Sequence, residues 1–133
     1  MINRELINPQ SIVVVGGSNN VHKPGGRLVR NLLDGKYKGE LYVVNAKEDD
    51  VQGLKSYHSV HDIPETELAI ISIPGPACPE AVDVLAKQKN VKAFIVISAG
   101  FGEETHEGAI LEEQMLKSIN EAGASLIGPN CIG

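Results

Sequence analysis

The sequence predicts a doubly wound α/β fold, in which a parallel sheet is covered by helices on both faces. Short apolar runs alternate along the chain with segments of helical periodicity. The runs are continuous rather than alternating in polarity, which is typical of strands buried on both faces. Glycine, with 14 of the 133 residues, marks many of the boundaries between these segments. A chain of this length is expected to form one domain, residues 1–133, with a full core.

The first predicted strand, residues 12–15, runs directly into Gly16 and Gly17. Glycine has no Cβ, so the chain can turn sharply at this point. A polar loop follows, and a helix then begins near residue 25 with an apolar stripe of Leu28, Val29, Leu32 and Leu33. Such a turn aims backbone N–H groups and the positive end of the helix dipole at a bound phosphate. We interpret it as the front half of a nucleotide-binding βαβ unit. A tight turn that binds nothing is the alternative.

The glycine turn differs from the G-x-G-x-x-G fingerprint of NAD enzymes. Asn19 and Asn20 occupy positions where further glycines are expected in that fingerprint. The turn therefore predicts a nucleotide-like ligand without specifying which one. We also expect a valine at Gly17 to impair ligand binding more than stability, because a turn of this kind carries little core packing.

Four more strands are predicted at residues 41–44, 68–73, 93–97 and 125–127. Helices are predicted to begin near Pro79 and to cover residues 105–122, while residues 48–57 are assigned no strand. With right-handed crossovers, the five strands take the order 3-2-1-4-5 in a Rossmann-like three-layer sandwich. A ligand is then expected beyond the carboxyl ends of the strands, at the switch between strands one and four.

The composition argues against several classes of function. Twelve lysine and arginine residues face 17 acidic ones, for a net charge of −5, whereas nucleic-acid and anionic-membrane binders need a basic surface. Two cysteines make neither a disulfide framework nor a zinc site. No run approaches the ~20 apolar residues of a membrane span, and the first residues lack the apolar stretch of a signal peptide. We expect a cytoplasmic protein that binds neither nucleic acid nor membrane.

The end of the second strand narrows the choice of ligand. Dinucleotide-binding domains usually carry an acid there, which holds a ribose diol. In this chain Asn45 and then Lys47 follow the strand, and a lysine favours a phosphate over a diol. The nearby Asp49 and Asp50 keep NAD as an alternative ligand. A merely solvated Lys47 is the alternative to a phosphate contact.

Four stretches of the chain carry a resemblance to a known family. They read NPQSIVVVGGS at residues 8–18, YVVNAK at 42–47, VISAGFG at 96–102 and IGPNCIG at 127–133. With this spacing the chain resembles the coenzyme A-binding domain of the NDP-forming acyl-CoA synthetases. That superfamily includes ADP-forming acetyl-CoA synthetase and the succinyl-CoA synthetase α subunit. The last motif is the most specific of the four, and the resemblance covers essentially the whole chain.

The resemblance implies which residues would bind coenzyme A (CoA). The glycine turn, with Gly16 and Gly17, would contact CoA through the residues after it, and the segments after the second and fourth strands would complete the site. The border of the pantetheine arm would lie at Pro74 and at residues 129–131. The implied contact residues are Ser18, Asn19, Asn20, Val21, Asn45, Lys47, Pro74, Ile97, Ser98, Ala99 and Asn130.

The resemblance also implies a role within a larger enzyme. The family converts an acid, CoA and ATP or GTP into acyl-CoA, NDP and phosphate. A catalytic histidine in a following domain carries the phosphate, and an ATP-grasp domain or subunit binds the nucleotide. None of the four histidines here, His22, His58, His61 and His106, matches that position. We expect the chain to be one domain of a longer synthetase, without catalytic residues of its own and inactive alone.

Other interpretations remain open at this point. The chain could be a freestanding CoA-binding regulatory module, or an NAD(P)-binding oxidoreductase or redox-sensor domain. His58, His61 and Asp62 could be metal ligands, although an exposed connector is the preferred interpretation and no metal is predicted. Cys131 could act as a nucleophile or redox group, although a small residue filling a tight turn is preferred.

Overall fold

A single sheet of seven strands organises the fold. The computed structural model of the chain describes residues 10–97 and 106–127. In chain order the strands are β1 (Ser11–Val15), β2 (Glu40–Val44), β3 (Asp50–Val51), β4 (Leu54–Tyr57), β5 (Leu68–Ile71), β6 (Ala93–Val96) and β7 (Ser125–Ile127). The helices are α1 (Pro24–Asp34), α2 (Cys78–Gln88) and α3 (His106–Glu121), with short 3-10 turns at Val60–Asp62 and Gly75–Ala77.

The order of the strands is β3-β4-β2-β1-β5-β6-β7. All neighbours pair in parallel except β3 and β4, which form an antiparallel hairpin at one edge. The central strand β1 pairs with β2 on one side and with β5 on the other, so that Val15 lies opposite both Val44 and Ile71. The α/β class and the Rossmann-like parallel sheet are therefore confirmed.

The predicted strand order requires a correction. The strand at residues 68–73 was expected at the outer position beside strand two, but β5 lies beside β1 and β4 takes the outer position. The segment Leu-Lys-Ser-Tyr of β4 is only half apolar, so it does not carry the pattern of a buried strand. The direction of winding therefore reverses between β1 and β5, and not between β1 and the strand at residues 93–97.

Helices cover both faces of the sheet, as predicted. Side chains alternate along β1, so Val13 and Val15 join the core under α2 and α3, whereas Ile12 and Val14 join the core under α1. The sequence showed these runs as continuously apolar because both faces are buried. None of the helices in residues 10–97 and 106–127 combines the length and apolarity that a membrane span requires.

A polar cluster joins α2 to α3 at their exposed side. The Lys87 ammonium lies 2.9 Å from both Asp83 and Glu121, and the buried Ser118 hydroxyl donates to Asp83 at 2.9 Å. The hydrogen bond from Lys87 lowers the pKa of Glu121, and hydrogen bonds from Lys87 and then Ser118 lower the pKa of Asp83. The same two carboxylates raise the pKa of Lys87. The cluster fixes the C-terminal ends of α2 and α3 relative to each other.

Candidate functional site

A groove of about 580 Å³ opens at the carboxyl ends of β1, β2 and β5, where the winding of the sheet reverses. Its floor includes Val15 and Val44, the last residues of two neighbouring strands. Open α/β sheets bind their ligands at this position, and the volume lies within the usual range for small-molecule sites. The groove is therefore the candidate ligand site of the described structure.

The structure brings five of the expected contact residues together around this groove. They are Gly16, Ser18, Asn45, Lys47 and Pro74. Five others do not line it, namely Gly17, Asn19, Asn20, Val21 and Ile97. Ser98, Ala99 and Asn130 lie outside the described residues, as does Cys131.

Gly16 makes the sharp turn at the end of β1. Its φ angle is +95°, and a Cβ at this position would overlap the carbonyl oxygen of Ser72. Its N–H donates to the carbonyl oxygen of Val44 at 2.8 Å, while the Ser72 N–H donates to Val15. The backbone thus passes so closely between its two neighbours that only glycine fits.

Gly17 has a different role from the one expected. It is buried, and a Cβ there would lie 2.5 Å from Cγ1 of Val43 and 3.2 Å from Cγ2 of Val29. Both valines are fully buried between the sheet and α1. The expectation that a valine at Gly17 would impair binding more than stability is therefore wrong, because the added side chain would enter the core and not the groove.

Helix α1 begins in close contact with the glycine turn. A Cβ at Gly25 would overlap the carbonyl oxygen of Gly16, and a Cβ at Gly26 would overlap that of Asn20. These glycines, which the sequence analysis did not include in the site, let the helix approach the turn. Among the described residues the N–H groups of Gly25 and Gly26 have no hydrogen-bond partner, so they add to the positive potential of the helix N-terminus.

The residue that precedes this helix carries a positive charge. Lys23 occupies the N-cap position, makes no side-chain cap, and is followed by no acid in the first turn. It lines the groove, as Lys47 does, and both side chains are exposed. Neither ammonium has an ion-pair partner in the part of the chain that the structure describes. The groove therefore presents two available cations on its rim.

The side chains of the polar loop mostly hold the loop itself. The Asn20 N–H donates to the Ser18 hydroxyl at 3.0 Å, and the His22 N–H donates to the Asn20 side chain at 2.9 Å. Asn19 instead faces the β3–β4 hairpin, where it donates to the carbonyl oxygen of Asp50 at 2.9 Å. The asparagines that replace the expected glycines thus stabilise the loop by side-chain bonds to backbone.

Gln52, in the turn of the hairpin, completes this connection. Its N–H donates to Oδ1 of Asn19 at 2.7 Å. Its side-chain Nε2 donates to the carbonyl oxygens of Ser18 at 2.8 Å and of Gly26 at 2.9 Å. Gln52 is not among the predicted site residues, because the pattern of residues 48–57 predicts no strand. The one available signal was the Gln-Gly pair, a weak variant of the Asn-Gly hairpin turn.

Asn45 connects the end of β2 to the glycine turn. Its Nδ2 donates to the Gly17 carbonyl oxygen at 2.9 Å, and its Oδ1 accepts from the N–H groups of Lys47 and Glu48 at 2.9 and 3.0 Å. Three of the four hydrogen bonds that the amide can make are thus formed within the protein, and one N–H of Nδ2 remains. The side chain fixes the backbone that carries Lys47, and it also lines the groove.

The far wall of the groove includes residues that the sequence did not indicate. His58 lines both this groove and a neighbouring cavity, and its Nε2 lies 2.8 Å from Oδ1 of Asp49. Ile73 and Ala81 add apolar surface beside Pro74. No group of three histidine, cysteine or acidic side chains in residues 10–97 and 106–127 is placed to hold a metal ion.

The donor set fits coenzyme A. CoA carries a diphosphate and a 3′-phosphate, which need cations and N–H donors, and a neutral arm, which needs an apolar track. The cations are Lys23 and Lys47, and the N–H donors lie at the N-terminus of α1. The apolar part of the groove provides the track for the neutral arm.

Comparisons with known proteins agree with this fit. The family model described as "CoA binding domain" matches residues 10–133. The chain is 39% identical over 131 residues to an ADP-forming acetate–CoA ligase of Archaeoglobus fulgidus, which covers 98% of this chain and 19% of the relative. It is 39% identical over 130 residues to the α subunit of such a ligase from Pyrococcus furiosus, covering 96% of this chain and 28% of the relative. The chain thus spans less than a third of either curated relative.

Two solved structures are also similar. One is an acetyl-coenzyme A synthetase from Ca. Korarchaeum cryptofilum, with a TM-score of 0.84, 34% identity, and coverage of 96% of this chain and 27% of that one. The other is a hypothetical protein from Pyrococcus horikoshii OT3, with a TM-score of 0.72, 26% identity, and coverage of 93% of this chain and 79% of that one. From sequence, groove and comparisons together, the chain belongs to the family of CoA-binding domains found in ADP-forming acyl-CoA synthetases.

Proposed function

We propose that the groove at the carboxyl ends of β1, β2 and β5 binds CoA for an ADP-forming acyl-CoA synthetase of which this chain is one domain. The observation that carries the proposal is a pair of lysines in the groove of a CoA-binding family, Lys23 and Lys47, which form no ion pair within residues 10–97 and 106–127. The synthetase would convert an acid, CoA and ATP into acyl-CoA, ADP and phosphate.

The groove offers a separate environment for each part of CoA. The diphosphate is assigned to the N-terminus of α1 with Lys23, where N–H donors and a cation coincide. The 3′-phosphate is assigned to Lys47, at the end of β2. The pantetheine arm is assigned to the apolar surface that Ile73 and Pro74 present, and Ser98, Ala99 and Asn130 are proposed to extend the site.

The chain itself is proposed to bind and orient CoA rather than to catalyse. The described groove holds His58, which is paired with Asp49, but no cysteine. We propose that an ATP-grasp domain or subunit completes the enzyme, that the enzyme is cytoplasmic, and that residues 1–133 alone form no acyl-CoA. Acyl-CoA formation by the purified chain from acid, CoA and ATP would contradict this part of the proposal.

The test of the site is a double cycle on Lys47 with CoA and dephospho-CoA, which lacks the 3′-phosphate. A charge-assisted contact contributes about 1.5–3 kcal/mol, so Lys47→Ala should weaken CoA binding by roughly ten- to a hundredfold. Full exposure of the ammonium shifts the expected loss toward the lower value, because salt screens solvated charges. Wild type should prefer CoA to dephospho-CoA, and the variant should hardly distinguish them. Calorimetric titrations measure all four affinities.

A matched control is Lys38→Ala, which removes an exposed lysine that does not line the groove. This control should bind both ligands like the wild type. A preference for CoA that persists in Lys47→Ala would assign the 3′-phosphate to another cation, with Arg27 the next candidate. Unchanged affinity for both ligands would remove Lys47 from the CoA site.

A second candidate function is a freestanding CoA-binding module. It is favoured by the solved Pyrococcus horikoshii protein, because this chain covers 79% of that chain. Reading the coding sequence beyond residue 133 distinguishes the two. A synthetase requires further domains or a partner subunit encoded with it, whereas a freestanding module requires neither.

A further inference from the structure

We infer that Gln52 is a positioning residue for CoA, which holds the loop at residues 16–20 in its binding shape from behind. This inference rests on the proposed function of the groove. Gln52 does not line the groove. It sits in the tight turn of the β3–β4 hairpin, on the far side of the loop, and reaches the site only through other residues.

The hydrogen bonds of Gln52 join three separate segments. One side-chain amide donates to the carbonyl oxygen of Ser18, in the loop, and to that of Gly26, in the first turn of α1. The backbone N–H of Gln52 donates to the side chain of Asn19. Since Ser18 and the start of α1 form one rim of the groove, Gln52 sets the distance between the parts of that rim.

The backbone at Gln52 is strained, which indicates that its side chain is needed. Its φ angle is +52°, and the next residue, Gly53, has a φ of +91°. Two positive φ angles in a two-residue hairpin turn favour Asn-Gly, and a glutamine pays a conformational penalty at the first position. In addition, Oε1 of Gln52 is buried and has no hydrogen-bond partner among the residues that the structure describes. The two hydrogen bonds from Nε2 offset these penalties, so the glutamine serves the link between the loop and α1 and not the turn in which it sits.

The test compares Gln52→Gly with the wild type. Glycine removes the side-chain bonds and the backbone strain together, so the free energy of unfolding should change little. CoA affinity should fall about tenfold, and amide hydrogen exchange at residues 18–20 should become faster. A merely structural residue would alter stability and affinity together, whereas a positioning residue separates them.

Two further variants sharpen the comparison. Asn90→Gly is the matched control, because Asn90 also has a positive φ, +57°, but lies at the opposite end of the sheet, after α2. It should bind CoA like the wild type. Gln52→Glu keeps the length of the side chain but replaces the donating amide with a carboxylate facing two carbonyl oxygens. It should bind CoA at least as weakly as Gln52→Gly.

The outcomes separate this inference from the proposed function. If Lys47→Ala weakens CoA binding and Gln52→Gly does not, the groove is the CoA site and the inference about Gln52 is wrong. If neither variant changes the affinity, the groove itself is not the CoA site and both fail. Weaker binding by Gln52→Gly at unchanged stability, with normal exchange and affinity in Asn90→Gly, supports the inference.

Discussion

Asn45 donates a hydrogen bond of 2.9 Å to the carbonyl oxygen of Gly17, so the residue after β2 is bonded directly to the turn after β1. The other end of the same amide accepts from the N–H groups of Lys47 and Glu48. One neutral side chain therefore couples the glycine turn to the backbone of the lysine proposed to hold the 3′-phosphate. The two rims of the groove are not independent.

Asn45→Ala removes these three hydrogen bonds. We expect the free energy of unfolding to fall by about 1–3 kcal/mol, since each bond contributes about 0.5–1.5 kcal/mol and the site is partly exposed. CoA affinity should fall as well, because Lys47 loses its fixed backbone. Asn45→Asp keeps the acceptor for Lys47 but loses the donor to Gly17, and it adds a negative charge near the proposed phosphate. Titration calorimetry should show the aspartate variant binding CoA more weakly than the alanine variant. The reverse order would place the phosphate elsewhere.

Alanine at Gly16 should be much more destabilising than alanine at Gly17. At Gly16 the new Cβ meets backbone, the carbonyl of Ser72, at a positive φ. We expect a loss of about 3 kcal/mol from strain and overpacking together. At Gly17 the new Cβ meets the end of the Val43 side chain, which can shift, so about 1 kcal/mol is expected.

Gly53→Ala is the control for these glycine variants. Gly53 has a φ of +91°, but nothing lies within 4 Å of a Cβ built there. Alanine at this position therefore reports the backbone strain alone, about 1–2 kcal/mol. Urea unfolding curves give all three values. If Gly16→Ala lowered the free energy of unfolding no more than Gly53→Ala does, the backbone of Gly16 would not lie as close to Ser72 as described here.

Lys23→Ser should stabilise the protein and weaken CoA binding. Serine is a favourable N-cap residue and lysine is not, and removing a cation from the positive end of α1 also helps, so we expect a gain of about 1 kcal/mol. If Lys23 contacts the diphosphate, CoA affinity should fall about tenfold, the equivalent of ~1.4 kcal/mol. Thermal melts of this variant test the expected gain in stability, and calorimetric titrations test the expected loss of CoA affinity. A variant that is more stable and binds CoA normally would exclude Lys23 from the site.

The cluster between α2 and α3 should make stability depend on acid pH. The pKa values of Asp83 and Glu121 lie below their ordinary values of 3.8 and 4.5, because Lys87 bonds to both carboxylates. A carboxyl group whose pKa is lower in the folded than in the unfolded protein stabilises the folded state at any pH above the unfolded pKa. This stabilisation is lost as the pH falls through the pKa of the folded state. Between pH 7 and pH 3, wild type should therefore lose more free energy of unfolding than Lys87→Met.

Denaturant titrations at the two pH values test this prediction. Lys38→Met is the control, since Lys38 forms no ion pair in the part of the chain that the structure describes, and it should behave like the wild type. Equal losses in wild type and Lys87→Met would show that the cluster does not contribute to acid sensitivity.

The fold could be predicted from sequence wherever a strand is buried on both faces. Continuous apolar runs marked β1, β2, β5 and β6, because their two faces lie under helices, and a shorter run marked β7. The β3–β4 hairpin was missed because it lies at the edge of the sheet, where only Ser56 of the four β4 residues is buried and β3 has only two residues. Missing this hairpin placed residues 68–73 at the edge, and the error in strand order follows from it.

Of the residues that line the candidate site, the sequence could predict only those that follow a predicted strand. Asn45, Lys47 and Pro74 directly follow parallel strands, so the topology brings them together. His58 directly follows β4, a strand that was not predicted, and Lys23 comes from a helix start whose approach to the groove depends on local packing. A Cβ at Gly17 would point toward Val43, and no sequence pattern specifies this orientation, because it follows from the path of the backbone through the turn.

The described lining of the groove comes entirely from residues between Val15 and Ala81, with no contribution from α3 or β7. Translation therefore completes this lining before it reaches Met115 and Ile119, the buried residues that α3 contributes to the core. Domains fold from the N-terminus during synthesis, and a ligand stabilises any state that binds it. If CoA binds this groove as proposed, it would stabilise a lining whose residues are all translated before the last helix, and which packs into the core that this helix completes.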